Sequence, residues 1–139
     1  MTTVRNRMAL AISALLALGA VATVAMTVYL TRVMVGNMPD ANVGDVVLGL
    51  VPPTLAGLVP YGLMAVTHRR LGGGILPDTV LLIGAVGLVV FAAWAYFPMY
   101  GGTPGHGSYS FYLVPVFQCI AVAVIAAIAW AARQIEGAG

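Results

Sequence analysis

Residues 76–97 read LPDTVLLIGAVGLVVFAAWAYF, and Asp78 is the only charged residue in this run. A helix rises 1.5 Å per residue, so about 20 residues cross a hydrocarbon core of about 30 Å. The segment is therefore predicted to be a transmembrane helix. Its nearly continuous Leu, Val and Ile side chains also predict that it has the largest lipid exposure of any helix in the chain.

Three further apolar runs have a similar length. With the first, they predict helices over about 9–31, 46–67, 76–97 and 110–132. Of the 139 residues, 61% are apolar and only 7% are charged, whereas soluble domains have about 45–50% and about 25%. The sequence predicts an all-α integral membrane protein, a bundle of four transmembrane helices forming one domain over residues 1–139.

The first apolar run has a second interpretation. Arg5 and Arg7 precede it, and Ala20-Val21-Ala22 resembles a site for signal peptidase. Apolarity continues to Val35, however, which is long for a signal peptide. We expect a retained first helix, with cleavage of the N-terminal segment as the alternative.

The arginines predict the orientation of the bundle. Five of the six fall on one side of the four-helix arrangement: Arg5, Arg7, Arg69, Arg70 and Arg133. Positive residues collect on the cytoplasmic side of membrane proteins. Both chain ends are therefore expected in the cytoplasm, in a multi-pass protein of the inner (plasma) membrane, with Arg32 as the exception.

The second helix contains three prolines, Pro52, Pro53 and Pro60. Proline lacks an amide hydrogen and displaces the carbonyl four residues earlier, so a kink is predicted. The carbonyls of Leu48, Gly49 and Ala56 then need other partners, from neighbouring helices or from hydroxyls such as that of Thr54. Alternatively, the helix begins at Pro52 and residues 43–51 form a separate interfacial piece.

Small residues recur at intervals of four on two helices. The first helix carries Gly19, Thr23, Thr27 and Thr31, and the fourth carries Cys119, Ala123, Ala127 and Ala131. Such ridges allow membrane helices to approach closely. Both are predicted to be packing faces.

Three polar residues lie at similar depth, about 10–13 Å below the outer surface when counted at 1.5 Å per residue. They are Thr23, Thr54 and Gln118. Gln118 is expected to hydrogen-bond the first or second helix, because an unpaired amide is costly in hydrocarbon. The alternative is a small cavity that receives a polar head group.

The segment 96–112, YFPMYGGTPGHGSYSFY, joins the third and fourth helices. Nine of the twelve aromatic residues lie in or beside this hairpin, whereas an interfacial belt would mark both membrane faces. The segment is predicted to be an ordered outer hairpin. It forms either a shelf in the headgroups or a docking loop for another protein, with candidate residues Tyr100, His106, Tyr109 and Tyr112.

Residues for catalysis or cofactor binding are scarce. His68 and His106 are expected at opposite membrane faces, so one haem cannot use both, and His68 is expected to be a solvated loop residue. Gly72-Gly73-Gly74 is expected to be a flexible cytoplasmic turn. No catalytic residue, metal site or cofactor is predicted, and the charge of +2 is too small for a nucleic-acid partner.

The expected function is therefore non-enzymatic. We expect a structural or accessory subunit of a larger membrane complex, or a homo-oligomer, with the lipid bilayer and other membrane subunits or further copies as partners. The alternative is a small homo-oligomeric channel or carrier for a small or lipophilic ligand, in which the second helix moves.

Overall fold

The computed structural model describes the backbone of residues 2–100 and 107–138, and the side chains of residues 3–33, 35–96 and 113–138. The helices are α1 (Thr2–Gly36), α2 (Val43–Leu71), α3 (Ile75–Tyr100) and α4 (Gly107–Gly137). Each of the four is long and apolar enough to cross a membrane. The all-helical prediction is confirmed. Each helix extends beyond its apolar run, because a helix satisfies its backbone hydrogen bonds internally outside the hydrocarbon as well.

The four helices pack in a closed ring. α1 and α4 each pack against both α2 and α3, while α2 and α3 meet less extensively across the middle. Within the described residues α1 and α4 do not touch, so they occupy opposite corners. The starts of α1 and α3 and the ends of α2 and α4 meet at one end of the bundle, which we call the arginine end.

α2 is one unbroken helix with all three prolines inside it. Its first turn is capped by Asn42, whose Oδ1 accepts from the amides of Gly44 at 2.7 Å and Asp45 at 3.3 Å. The Asp45 carboxylate accepts in return from the Asn42 amide at 2.9 Å. This reciprocal cap starts the helix at Val43, so the alternative start at Pro52 is wrong.

The ridge on α1 packs against a matching ridge on α2. Gly19 faces the Tyr61 ring and Thr23 faces Gly57, where an added Cβ would lie 2.5 Å from the Thr23 methyl. Thr31 lies against Gly49 at the far end. The small residues spaced by four on α1 therefore pack against Gly49, Gly57 and Tyr61 of α2, as expected for the α1 ridge.

The small-residue ridge on α4 lies mainly on the exposed side of the bundle. Ala123, Ala127 and Ala131 are exposed and Cys119 is half-buried, because α4 turns Gln118, Val122 and Ala129 toward the bundle instead. This ridge therefore does not pack against the other described helices, and its role as a packing face stays a prediction.

α3 is the most buried helix. Of its most apolar stretch 39% of residues are buried, against 22% in α1 and in α2 and 28% in α4. Leu81, Ala85 and Leu88 lie in the main core, and Gly84 receives the side chain of Ile125. The expectation that α3 has the largest lipid exposure is wrong, because its apolar side chains form much of the main core.

Candidate functional site

The three residues of the predicted polar layer have separate partners. Thr23 donates from its hydroxyl to the Gly19 carbonyl of its own helix at 2.8 Å. The Thr54 hydroxyl is buried and has no hydrogen-bond partner among the described atoms. Thr54 was expected to serve a carbonyl freed by proline, and this expectation is wrong. The hydroxyl that does so is Thr31, which donates to the Gly49 carbonyl from the neighbouring helix at 2.9 Å.

Gln118 joins three helices in the middle of the bundle. It is only 1% exposed. Its Nε2 donates to the carbonyl of Leu88 on α3 at 3.2 Å and lies 3.5 Å from the hydroxyl of Tyr61 on α2. The expected contact of Gln118 with the second helix is present. Sequence reasoning did not single out Tyr61, although it lies four residues after Gly57 and belongs to the α2 ridge.

A cavity of about 260 Å³ lies beside Tyr61, between α1, α2 and α3. Its walls are mainly apolar and include Met26, Ala92 and the Tyr96 ring, with Gly19 and Thr23 on the α1 side. Thr23 is the one member of the predicted polar layer that lines it; Thr54 and Gln118 do not. We call it the interior cavity.

The arginine end is held together by the turn between α2 and α3. Asp78 is 1% exposed, and its carboxylate accepts from the Gly73 amide at 3.1 Å. The Nε2 of His68 lies 3.9 Å from the same carboxylate. His68 is therefore a largely buried helix residue beside an acid, and the expectation that it is a solvated loop residue is wrong.

Residues from α1 and α4 also reach this turn. Arg5 donates to the Gly73 carbonyl at 3.5 Å, Glu136 accepts from the Ile75 amide at 2.9 Å, and Arg133 donates to the Arg70 carbonyl. The triglycine turn is thus bonded from α1, α2 and α3, and α4 bonds the residues on either side of it, Arg70 and Ile75. We call this network the clasp; it contradicts the expectation of a flexible turn. No periodic pattern in the sequence marked it, because its bonds join residues about 60 positions apart.

Gly73 and Gly74 have different roles in this turn. Gly73 has φ +110°, a backbone conformation that is costly for residues with a Cβ. At Gly74 an added Cβ would meet the Glu136 carboxylate, so that side chain would have to shift. The turn therefore depends on glycine at Gly73, and a side chain at Gly74 would disturb the bond between Glu136 and Ile75.

A second space opens between α1 and α2 near the arginine end, with a volume of about 560 Å³. Leu16 and Tyr61 form its floor, Ala17 and Gly62 its exposed edges, and His68 and Arg69 lie at its end. We call it the α1/α2 groove. It was not predicted, because its position depends on how the two helices meet.

The predicted docking loop falls mainly outside the described residues. His106 lies outside them, and the side chains of Tyr100, Tyr109 and Tyr112 are not described. The helical backbone extends to Tyr100 on one side and begins at Gly107 on the other. The hairpin thus remains a prediction.

The residues with described side chains contain no cluster of three or more His, Cys, Asp or Glu that could hold a metal ion. Cys119 is a free, half-buried thiol.

Comparison with known proteins gives no match: no family model, no curated protein and no solved structure is similar to this chain.

Proposed function

We propose that this chain is a non-enzymatic multi-pass protein of the inner (plasma) membrane that serves as an accessory subunit or assembles with itself. α4 supplies the contact face. The observation that carries the proposal is the exposed row Ala123, Ala127 and Ala131.

The two small-residue ridges of the chain provide the physical argument. On α1 the ridge packs against α2, and Thr23, Thr27 and Thr31 are all buried. On α4 the equivalent row is exposed, and no helix of the described chain covers it. In lipid, helices associate through close backbone approach, so an uncovered small-residue row is suited to a helix from another chain.

The proposed orientation has both chain ends in the cytoplasm. Arg5, Arg70 and Arg133 all take part in the clasp, so arginines far apart in the sequence gather at one end of the bundle. The positive-inside rule assigns such an end to the cytoplasm.

Cysteine crosslinking tests this contact. In a Cys119→Ala background, Ala127→Cys should form a disulfide-linked species on mild oxidation in native membranes. Ala25→Cys on the exposed face of α1 is the matched control and should react far less. A doubled mass indicates a homo-oligomer, and a different adduct mass indicates a partner subunit. Equal crosslinking at positions 25 and 127, or none at 127, would contradict the proposal.

A second candidate function is supported by the interior cavity. Its apolar walls and the Tyr61 hydroxyl, which lies beside Gln118, suit a small lipophilic ligand with one polar group. In a carrier of this kind α2, with its three prolines, would be kinked and would move. Ala22→Leu adds bulk to the cavity wall and should abolish thermal stabilisation by such a ligand, whereas Ala25→Leu should not. Equal stabilisation of both variants would exclude this cavity.

A further inference from the structure

We infer that the α1/α2 groove binds one phospholipid with a net anionic head group, with an acyl chain along the groove and the phosphate at Arg69. This site is separate from the α4 face and from the interior cavity. It does not depend on which membrane face is cytoplasmic.

The groove exists because small residues line the seam below Tyr61. The Tyr61 ring fills the space against Gly19, so the two helices are joined there. Around this contact the walls of the groove carry Ala17, Ala20 and Ala65, whose side chains are single methyl groups and leave space between the helices. The volume of about 560 Å³ lies within the range of about 300–1,000 Å³ typical of ligand sites.

The groove has the length of one membrane leaflet. It extends along α2 from Leu58 to Arg69, which corresponds to about 16 Å at 1.5 Å per residue. Half of a hydrocarbon core of about 30 Å has nearly the same depth. Its edges at Ser13, Ala17 and Gly62 are exposed on the outside of the bundle, so a lipid chain can enter sideways.

The polar end of the groove is cationic. Arg69 is exposed, lines the groove and makes no hydrogen bond or ion pair with a described residue. Arg5 and Arg133, by contrast, donate to carbonyls of the clasp. A guanidinium group binds phosphate oxygens through two parallel hydrogen bonds, so Arg69 is available for a lipid phosphate.

No acidic residue lines the groove. Asp78 and Glu136, the two acids at this end, accept hydrogen bonds from backbone amides of the clasp. Both carboxylates are thereby engaged at the turn, and Asp78, 3.9 Å from His68 at the end of the groove, is itself only 1% exposed. Five arginines against two acids leave this end positive, which favours a net anionic lipid over a zwitterionic one.

The test uses the intact protein, purified in mild detergent and studied by native mass spectrometry. Phosphatidylglycerol and phosphatidylcholine with the same acyl chains are added in turn, and glycerophosphate serves as a head group without chains. The wild-type protein should retain phosphatidylglycerol about fivefold more tightly than phosphatidylcholine, because both lipids carry a phosphate but only phosphatidylcholine has a cationic choline that opposes Arg69. It should not retain glycerophosphate.

Two pairs of variants locate the site. Arg69→Gln should lose the preference for phosphatidylglycerol. Arg70→Gln removes the same charge at a residue that does not line the groove, and this variant should keep most of the preference. Gly62→Leu should reduce retention of both lipids by filling the groove. Gly87→Leu is its control, because both glycines are exposed and an added Cβ meets no neighbour at either one.

Several outcomes would overturn the inference. Equal retention of the two lipids would exclude charge selection, and equal losses in Arg69→Gln and Arg70→Gln would show diffuse attraction. Tight binding of glycerophosphate would show an anion site that needs no groove. A dimer lost only in Gly62→Leu, without a change in bound lipid, would assign the groove to a second copy. If Gly62→Leu does not fold, the two arginine variants still decide the question.

Discussion

The hydroxyl of Thr31 on α1 donates to the carbonyl oxygen of Gly49 on α2, 2.9 Å away. Within α2 this carbonyl would receive the amide of residue 53, but that residue is proline and has no amide hydrogen. A side chain of one helix thus replaces a backbone bond missing from its neighbour. Thr31 is buried, so the Gly49 carbonyl has its donor inside the bundle, and the pair supports an unbroken α2.

Removing this hydroxyl should destabilise the bundle. Thr31→Val keeps the side-chain shape but leaves the Gly49 carbonyl without this donor, at an expected cost of about 1 kcal/mol. The free energy of unfolding in detergent measures the effect. Thr27→Val is the matched control, because the Thr27 hydroxyl donates to a carbonyl within its own helix and should matter less. Equal losses in the two variants would refute the assigned role.

Gln118→Leu should lower the free energy of unfolding by an amount on the order of 1 kcal/mol, because α4 loses its bond to the Leu88 carbonyl. Tyr61→Phe should cost less, since the distance between the Gln118 amide and the Tyr61 hydroxyl is 3.5 Å. In the Gln118→Leu background the Tyr61→Phe change should cost almost nothing. Additive losses would show that the two side chains act independently.

Alanine substitution of two glycines in α2 should change stability in opposite directions, because only one of them lies against α1. Gly57→Ala places a methyl group 2.5 Å from the Thr23 methyl and should destabilise the protein by about 1–3 kcal/mol through overpacking. Gly62→Ala meets no neighbour and should stabilise α2 by about 0.5–1 kcal/mol through helix propensity. Thermal unfolding of both proteins gives the comparison. A stable Gly57→Ala variant would mean that the seam is looser than described.

The clasp should open when its buried acid is removed. Asp78→Ala leaves the Gly73 amide without its acceptor and His68 without its neighbour, at an expected cost of about 1–3 kcal/mol. Amide hydrogen exchange at residues 72–75 should accelerate accordingly. Asp78→Asn retains an acceptor oxygen and should have a smaller effect. If exchange in the alanine variant remains at the wild-type rate, Asp78 does not hold the turn.

Chemical labelling checks the proposed orientation. Single cysteines replace Thr3 and Thr103 in a Cys119→Ala background, and intact cells are treated with a reagent that cannot cross the membrane. Position 103 should react and position 3 should not, because the arginine end is assigned to the cytoplasm. The reverse pattern would invert the topology.

The number of helices was predictable from the sequence, because it depends on the length and hydropathy of each continuous run of residues. The length of each apolar run, compared with the bilayer, is enough to predict four helices, and the row from Gly19 to Thr31 marked a real packing face. The spacing of small residues did not reveal which neighbour covers a face. The rows on α1 and α4 look alike in sequence, yet one is buried and the other exposed.

The sequence by itself determined four helices that are long and apolar enough to cross a membrane, because hydropathy and run length need no knowledge of distant contacts. Only the tertiary structure decided that Thr31 and not Thr54 serves α2, that His68 meets Asp78, and that a groove opens beside Arg69. These features depend on how helices are rotated and paired. The rotation and pairing of the helices are set by the fit between side chains that are far apart in the sequence. No local sequence pattern contains this information.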